Sequence, residues 1–113
     1  MAWNPELERL LREALEGVPW LGEKRMFGGV VFTIDGAMVC AAIAPGLMAR
    51  VGKAAEAEML ALPDVRPMGS GGRRMGGWVL AGEDAWRDDV IRRRVVSAAV
   101  AHVLAPPPKT AGG

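Results

Sequence analysis

Tyrosine is absent from this chain of 113 residues, which holds only two phenylalanines, one cysteine and one histidine. A lone cysteine, Cys40, excludes an internal disulfide. Set in an apolar run, it reads as a small buried hydrophobe and not as a reactive thiol or a metal ligand. The single histidine, His102, has no second histidine or cysteine at ligand spacing, so the expected role is an exposed or helix-terminal one and no metal or cofactor is expected. Charge of one sign is also lacking: 14 Lys and Arg against 13 Asp and Glu leave a formal charge of +1, too little to attract nucleic acid or an anionic membrane by bulk field. No apolar stretch approaches the roughly 18 residues of a membrane helix, and the N-terminus is polar and soon charged, so a reducing, cytoplasmic setting is expected. Ser70 and Ser97 stand in no nucleophile-elbow context, and Asp88-Asp89 reads as first-turn helix charge. No catalytic constellation can be assembled.

What remains has the balance of an ordinary folded domain, 50% hydrophobic and 24% charged, and is long enough to bury a core. Residues 1–105 read as one domain and 106–113, with Pro106-Pro107-Pro108, as a loose tail. Leu7, Leu10, Leu11, Ala14 and Leu15 recur at helical spacing between Pro5 and Glu16, with Asn4 as cap and Gly17 at the end. A β-rich run from Arg25 to Ile34 breaks at Asp35-Gly36, a pair suited to a tight hairpin, and a second strand follows from Ala37 to about Ile43. Pro45-Gly46 leads into a third, Leu47 to Val51. Lys53 to Leu62 favours helix, and Pro63 closes it. Asp64 to Met68 and Met75 to Ala81 read as strands, the latter with Trp78 on one face, joined by a glycine-rich loop from Gly69 to Arg74. Glu83 and Asp84 open a last helix whose core stripe is Ile91, Val95, Val96, Ala99, Val100 and Val103.

The order α-β-β-β-α-β-β-α predicts an α+β two-layer sandwich on an antiparallel sheet of about five strands. Met26, Val30, Phe32 and Ile34 share one parity, while Phe27, Val31, Val39 and Ile43 supply apolar residues of the other. Both sheet faces are therefore expected to be partly covered, the second by helices or in a homodimer.

The segment Lys24-Arg25-Met26-Phe27-Gly28-Gly29-Val30 resembles the opening motif of the N-terminal domain of the TfoX/Sxy family of competence regulators. The likeness continues in register through Asp35-Gly36, Leu47-Met48-Ala49-Arg50-Val51-Gly52, Arg66-Pro67-Met68 and Gly77-Trp78-Val79, covering roughly residues 5 to 105. The resemblance implies a fold similar to that of type III secretion chaperones, and it supplies no catalytic residues. Longer family members carry a second, helical domain, and those tied to competence act with a cyclic-AMP receptor protein. This chain reads as a stand-alone N-terminal domain.

Within that motif, Arg25, Met26, Phe27, Gly28 and Gly29 read first as structural: Met and Phe anchor opposite faces, and paired glycines allow a bulge or a close crossing. Arg25, Arg50, Arg66, Arg73 and Arg74 fall at strand ends or in loops, where a sheet that gathers those ends would make a basic patch beside Trp78. The Gly69 to Arg74 segment has the glycines and arginines to cradle an anion, but it lacks the lysine-serine/threonine ending of a P-loop and feeds a strand.

Three functions follow in order of expectation. The first is a non-catalytic regulatory or adaptor protein with a protein partner such as a transcription regulator. The second is direct nucleic-acid binding through the arginines, and the third is an anion or nucleotide binder at the glycine-rich segment. Direct DNA contact predicts affinity that falls by orders of magnitude between about 50 and 200 mM salt and is lost when Arg73 and Arg74 become alanine. Fluorescence anisotropy of labelled duplex DNA reads both effects.

Overall fold

A computed structural model describes residues 4–26, 28–70 and 73–105, with the backbone alone at Ser70, Arg73 and Arg74. Helix α1, Pro5–Ala14, begins as its sequence dictates: Asn4 caps it by accepting the Leu7 N–H at 3.4 Å, and Pro5 occupies the first turn. Its stripe of Leu7 and Leu11, continued by Leu15, is wholly buried. Four strands follow, β1 (Leu21–Met26), β2 (Gly29–Ile34), β3 (Ala37–Ile43) and β4 (Gly46–Arg50), then α2 (Lys53–Leu60). The chain continues through β5 (Val65–Ser70) and β6 (Arg73–Ala81) to α3 (Glu83–Arg87) and α4 (Asp89–Leu104). All strand pairings are antiparallel in the order β1-β2-β3-β4-β6-β5.

The α+β class and its antiparallel sheet hold, but the sheet has six strands and not about five. The run Arg25 to Ile34 is two strands of a hairpin in which Met26 faces Gly29, with Gly28 at φ 72° at the turn. The turn signal is the Gly28-Gly29 pair, which also fits a bulge within a single strand. The expected single last helix is likewise divided. Asp88 has extended backbone, and its Oδ1 accepts the N–H groups of Val90 and Ile91, so it caps α4 just after α3 ends. At the Gly69 to Arg74 segment, β5 and β6 reach in as far as Ser70 and Arg73, which pair with each other. Gly71 and Gly72 lie outside the described residues, as do Phe27 and the tail from Pro106.

All four described helices lie on one face. Leu7 and Leu11 of α1, Met59 of α2, Ala85 and Trp86 of α3, and Val95, Val96 and Ala99 of α4 share one apolar cluster with Val30, Phe32, Cys40, Ala42, Leu47, Ala49, Val79 and Ala81. Of the expected α4 stripe, Ile91, Val100 and Val103 are the half-buried flank. The opposite face is built of strand residues alone. Val31, Ala41, Met48 and Leu80 are buried there beneath Met38, Ile43, Met68 and Trp78, so no described helix covers the second face. Two parity expectations fail for local reasons. Met26 belongs to β1 and is 41% exposed. Val39 faces the helices together with its neighbour Cys40. The pairing steps from Phe32↔Cys40 to Thr33↔Met38, which leaves Val39 as the extra residue of a β-bulge.

Arg12 fastens α1 to the outer strand β1 by donating two hydrogen bonds of 2.9 Å to the Glu23 carboxylate. Those bonds hold Glu23 below its ordinary carboxylate pKa and raise that of Arg12. The buried Glu8 lies nearby, within 3.5 Å of Arg12 and 3.8 Å of Arg25. No described helix is long and apolar enough to cross a membrane.

Two outcomes are expected. Gly29 lies so close to β3 that any Cβ would strike the Ala42 carbonyl. Gly29→Ala should therefore destabilise the fold by about 1–3 kcal/mol, read as a lower Tm in thermal denaturation. Burial pushes the Cys40 thiol up to about 12, so it should stay inert to a thiol-reactive chromogen at neutral pH until denaturant unfolds the chain.

Candidate ligand cleft at the end of the sheet

Strand register decides which of the sequence-predicted residues meet. Arg50 of β4 stands opposite Trp78 of β6, so both project from the helix-free face. One residue pair along, Met48 faces Leu80, and Leu80 faces Arg66 of β5. The same row continues through Ala41, Val31 and Lys24. It crosses all six strands, with apolar residues in the middle and a cation, Lys24 or Arg66, at each edge. Arg25 does not join this face. It stands opposite Val30, a residue of the helix-side core, and reaches towards Glu8 of α1. Arg73 and Arg74 begin β6 at the far tip of the β5–β6 hairpin, opposite Ser70 and Gly69, and their side chains lie outside the described residues. Of the predicted basic patch, Arg50, Arg66 and Trp78 are thus brought onto one face, and Arg25 is not.

A cleft of about 370 Å³ opens where β4 hands the chain to α2. Three elements make it. Strand β6 bulges: Pro67 faces Val79 and Gly69 faces Arg74, so Met75, Gly76, Gly77 and Trp78 stand opposite Met68 alone. Gly77, at φ 86°, turns its carbonyl to accept the N–H groups of both Val51 and Gly52, at 2.8 and 2.9 Å. That double bond pins the bulge to the β4–α2 connection. A Cβ on Gly77 would lie 3.3 Å from the Gly52 Cα, and one on Gly76 would lie 3.2 Å from Lys53 Cε. The third element is the last turn of α4, whose His102 presses its ring onto Gly52 so that a Cβ there would meet Nδ1. Gly52 itself has φ 86° and ψ 155°, a combination almost reserved for glycine.

The cleft walls carry Arg50, Lys53 and His102, with Trp78 half-buried beside them. No side chain caps α2 at Gly52, so its first N–H groups, at the edge of the cleft, have no side-chain acceptor. Several arginines elsewhere are tied up, Arg87 to Glu6 and Glu83, Arg92 to Asp89, Arg94 to Glu58 and Arg9 to Glu13, while Arg66 and Arg93 have no carboxylate within ion-pair distance among the described residues. Among the described residues neither Arg50 nor Lys53 has a carboxylate within ion-pair distance. No cluster of three His, Cys, Asp or Glu side chains placed to hold a metal occurs among the described residues. The sequence reading missed Lys53 and His102. The available signal was Gly52-Lys53 opening a helix with no Ser, Thr, Asp or Asn cap; the approach of His102 from the far end of α4 had none.

The family model of the TfoX N-terminal domain matches residues 13–103. The chain belongs to that family. The matched span of this TfoX N-terminal domain begins inside α1 and closes at Val103, taking in the whole sheet and every residue of the cleft. No curated protein and no solved structure matches it significantly.

Gly52 is the hinge of the arrangement. Gly52→Ala should cost about 1–3 kcal/mol from backbone strain alone and should displace His102. The first effect is read by thermal denaturation and the second by a shift of the His102 ring resonances.

Proposed function

We propose that this TfoX N-terminal domain is a non-catalytic regulatory protein of the cytoplasm that acts by docking on an acidic surface of a partner, a transcription regulator. The observation that carries the reading is the helix-free face, an apolar row ending in Lys24 and Arg66 with Arg50, which has no carboxylate partner among the described residues, beside Trp78. Apolar area supplies affinity for a protein surface, and exposed cations at the edges choose an acidic one and speed encounter. Family membership supports regulation as the setting. Duplex DNA is a poorer fit, because Arg25 is turned to the helical side and the cations described on the face, Lys24, Arg50 and Arg66, make few phosphate contacts.

In the host organism, deleting the gene should change the level of a defined set of transcripts. The wild-type chain should restore them, and an R50E/R66E variant with unchanged Tm should not. Full restoration by that variant, or tight salt-sensitive binding of the purified chain to duplex DNA, would overturn the reading.

A further inference from the structure

The cleft shares Arg50 and Trp78 with the sheet face and adds Lys53 and His102, which docking on that face leaves unused. Its cations, Arg50 and Lys53, lack carboxylate partners among the described residues, and no carboxylate lines it. The one acid in the first turn of α2, Glu56, is half-buried and already engaged. Two cationic side chains line one opening, and an anion seated between them would relieve their mutual repulsion. The backbone is shaped to the same end. Glycines at positions 52, 76 and 77 let His102, Lys53 and the β4–α2 backbone close in around the opening, and the uncapped start of α2 adds N–H donors to what the side chains supply.

The geometry points to a phosphomonoester with a planar group attached, of which a nucleoside monophosphate is the simplest example, as the ligand of this cleft. A phosphate dianion matches the site better than a carboxylate because it brings more charge and three acceptor oxygens for Arg50, Lys53 and the backbone donors together. A cleft of about 370 Å³ falls in the range of small-ligand sites, about 300–1,000 Å³. Trp78 is held by packing on the Met48 and Leu80 cluster, which presents a fixed indole against which a flat ring can stack. The inference stands apart from partner docking: Lys24 and Arg66 serve the face, whereas Lys53 and His102 serve only the cleft.

Amide and indole resonances of the isotope-labelled chain, titrated at constant ionic strength, provide the test. Adenosine monophosphate should saturably shift the Lys53, Ala54 and Gly77 amides and the Trp78 indole N–H. Inorganic phosphate should move the same amides more weakly and leave the indole in place, and adenosine should move neither set. Lys53→Ala should weaken nucleotide binding about tenfold, His102→Gln several-fold, and Arg66→Ala not at all. An equal response to adenosine, shifts scattered away from the cleft, or Lys53→Ala binding as well as wild type would overturn the proposal. Loss of binding in Arg66→Ala alone would assign the ligand to the sheet face and overturn it equally.

Discussion

Burial of one sheet face beneath every described helix is the constraint on which the molecule depends. Leu7, Leu11, Leu15 and Phe32 are fully buried there, and each such side chain contributes about 1.5–3 kcal/mol relative to exposure. Loading the helices on one side leaves the other to manage with strand residues. It does so by making the central row of that face apolar and covering it with larger neighbours, Met38, Ile43, Met68 and Trp78. The bulge at Val39 serves the loaded side, because it turns two successive residues of β3 towards the helices. The buried Arg92 serves it too, donating to the Trp86 carbonyl at 2.8 Å and to Asp89 at 2.7 Å across the α3–α4 junction.

How much of this was legible depends on whether the information was local. Helix α1 could be read because cap, proline and stripe lie within one segment. The class of the fold could be read because runs of strands between helices exclude a parallel sheet. The β1–β2 hairpin was missed because Gly28-Gly29 fits a bulge inside one strand as well as a turn between two, and only the pairing of Met26 with Gly29 decides. The bulge at Val39 is a property of pairing between two strands, invisible in either alone. Asp88 was read as helix charge and proved to be a cap, a distinction that rests on whether one helix or two run through residues 83–104.

The candidate site divides along the same line. Arg50 and Arg66 were singled out from positions at strand ends or in loops and Trp78 as the aromatic on one strand face, and the register then placed the three on one face. Arg25 carries a similar sequence signal and lies on the other face, because parity in a strand fixes side only once its partner is known. Lys53 and His102 come together through the crossing of α4 over the start of α2, which no spacing rule reaches.

The outer strands bear on how this domain meets others. Strand β1 presents Glu23, Lys24 and Arg25 in succession, all exposed, and β5 at the opposite margin contains Pro67, which has no N–H to offer a neighbouring strand. Charge at one margin and a missing donor at the other discourage sheet-to-sheet polymerisation. A chain so protected can display an open sheet at high cellular concentration without zipping into fibres, and its contacts are left to side chains on its face and in its cleft, where selectivity can be tuned one residue at a time.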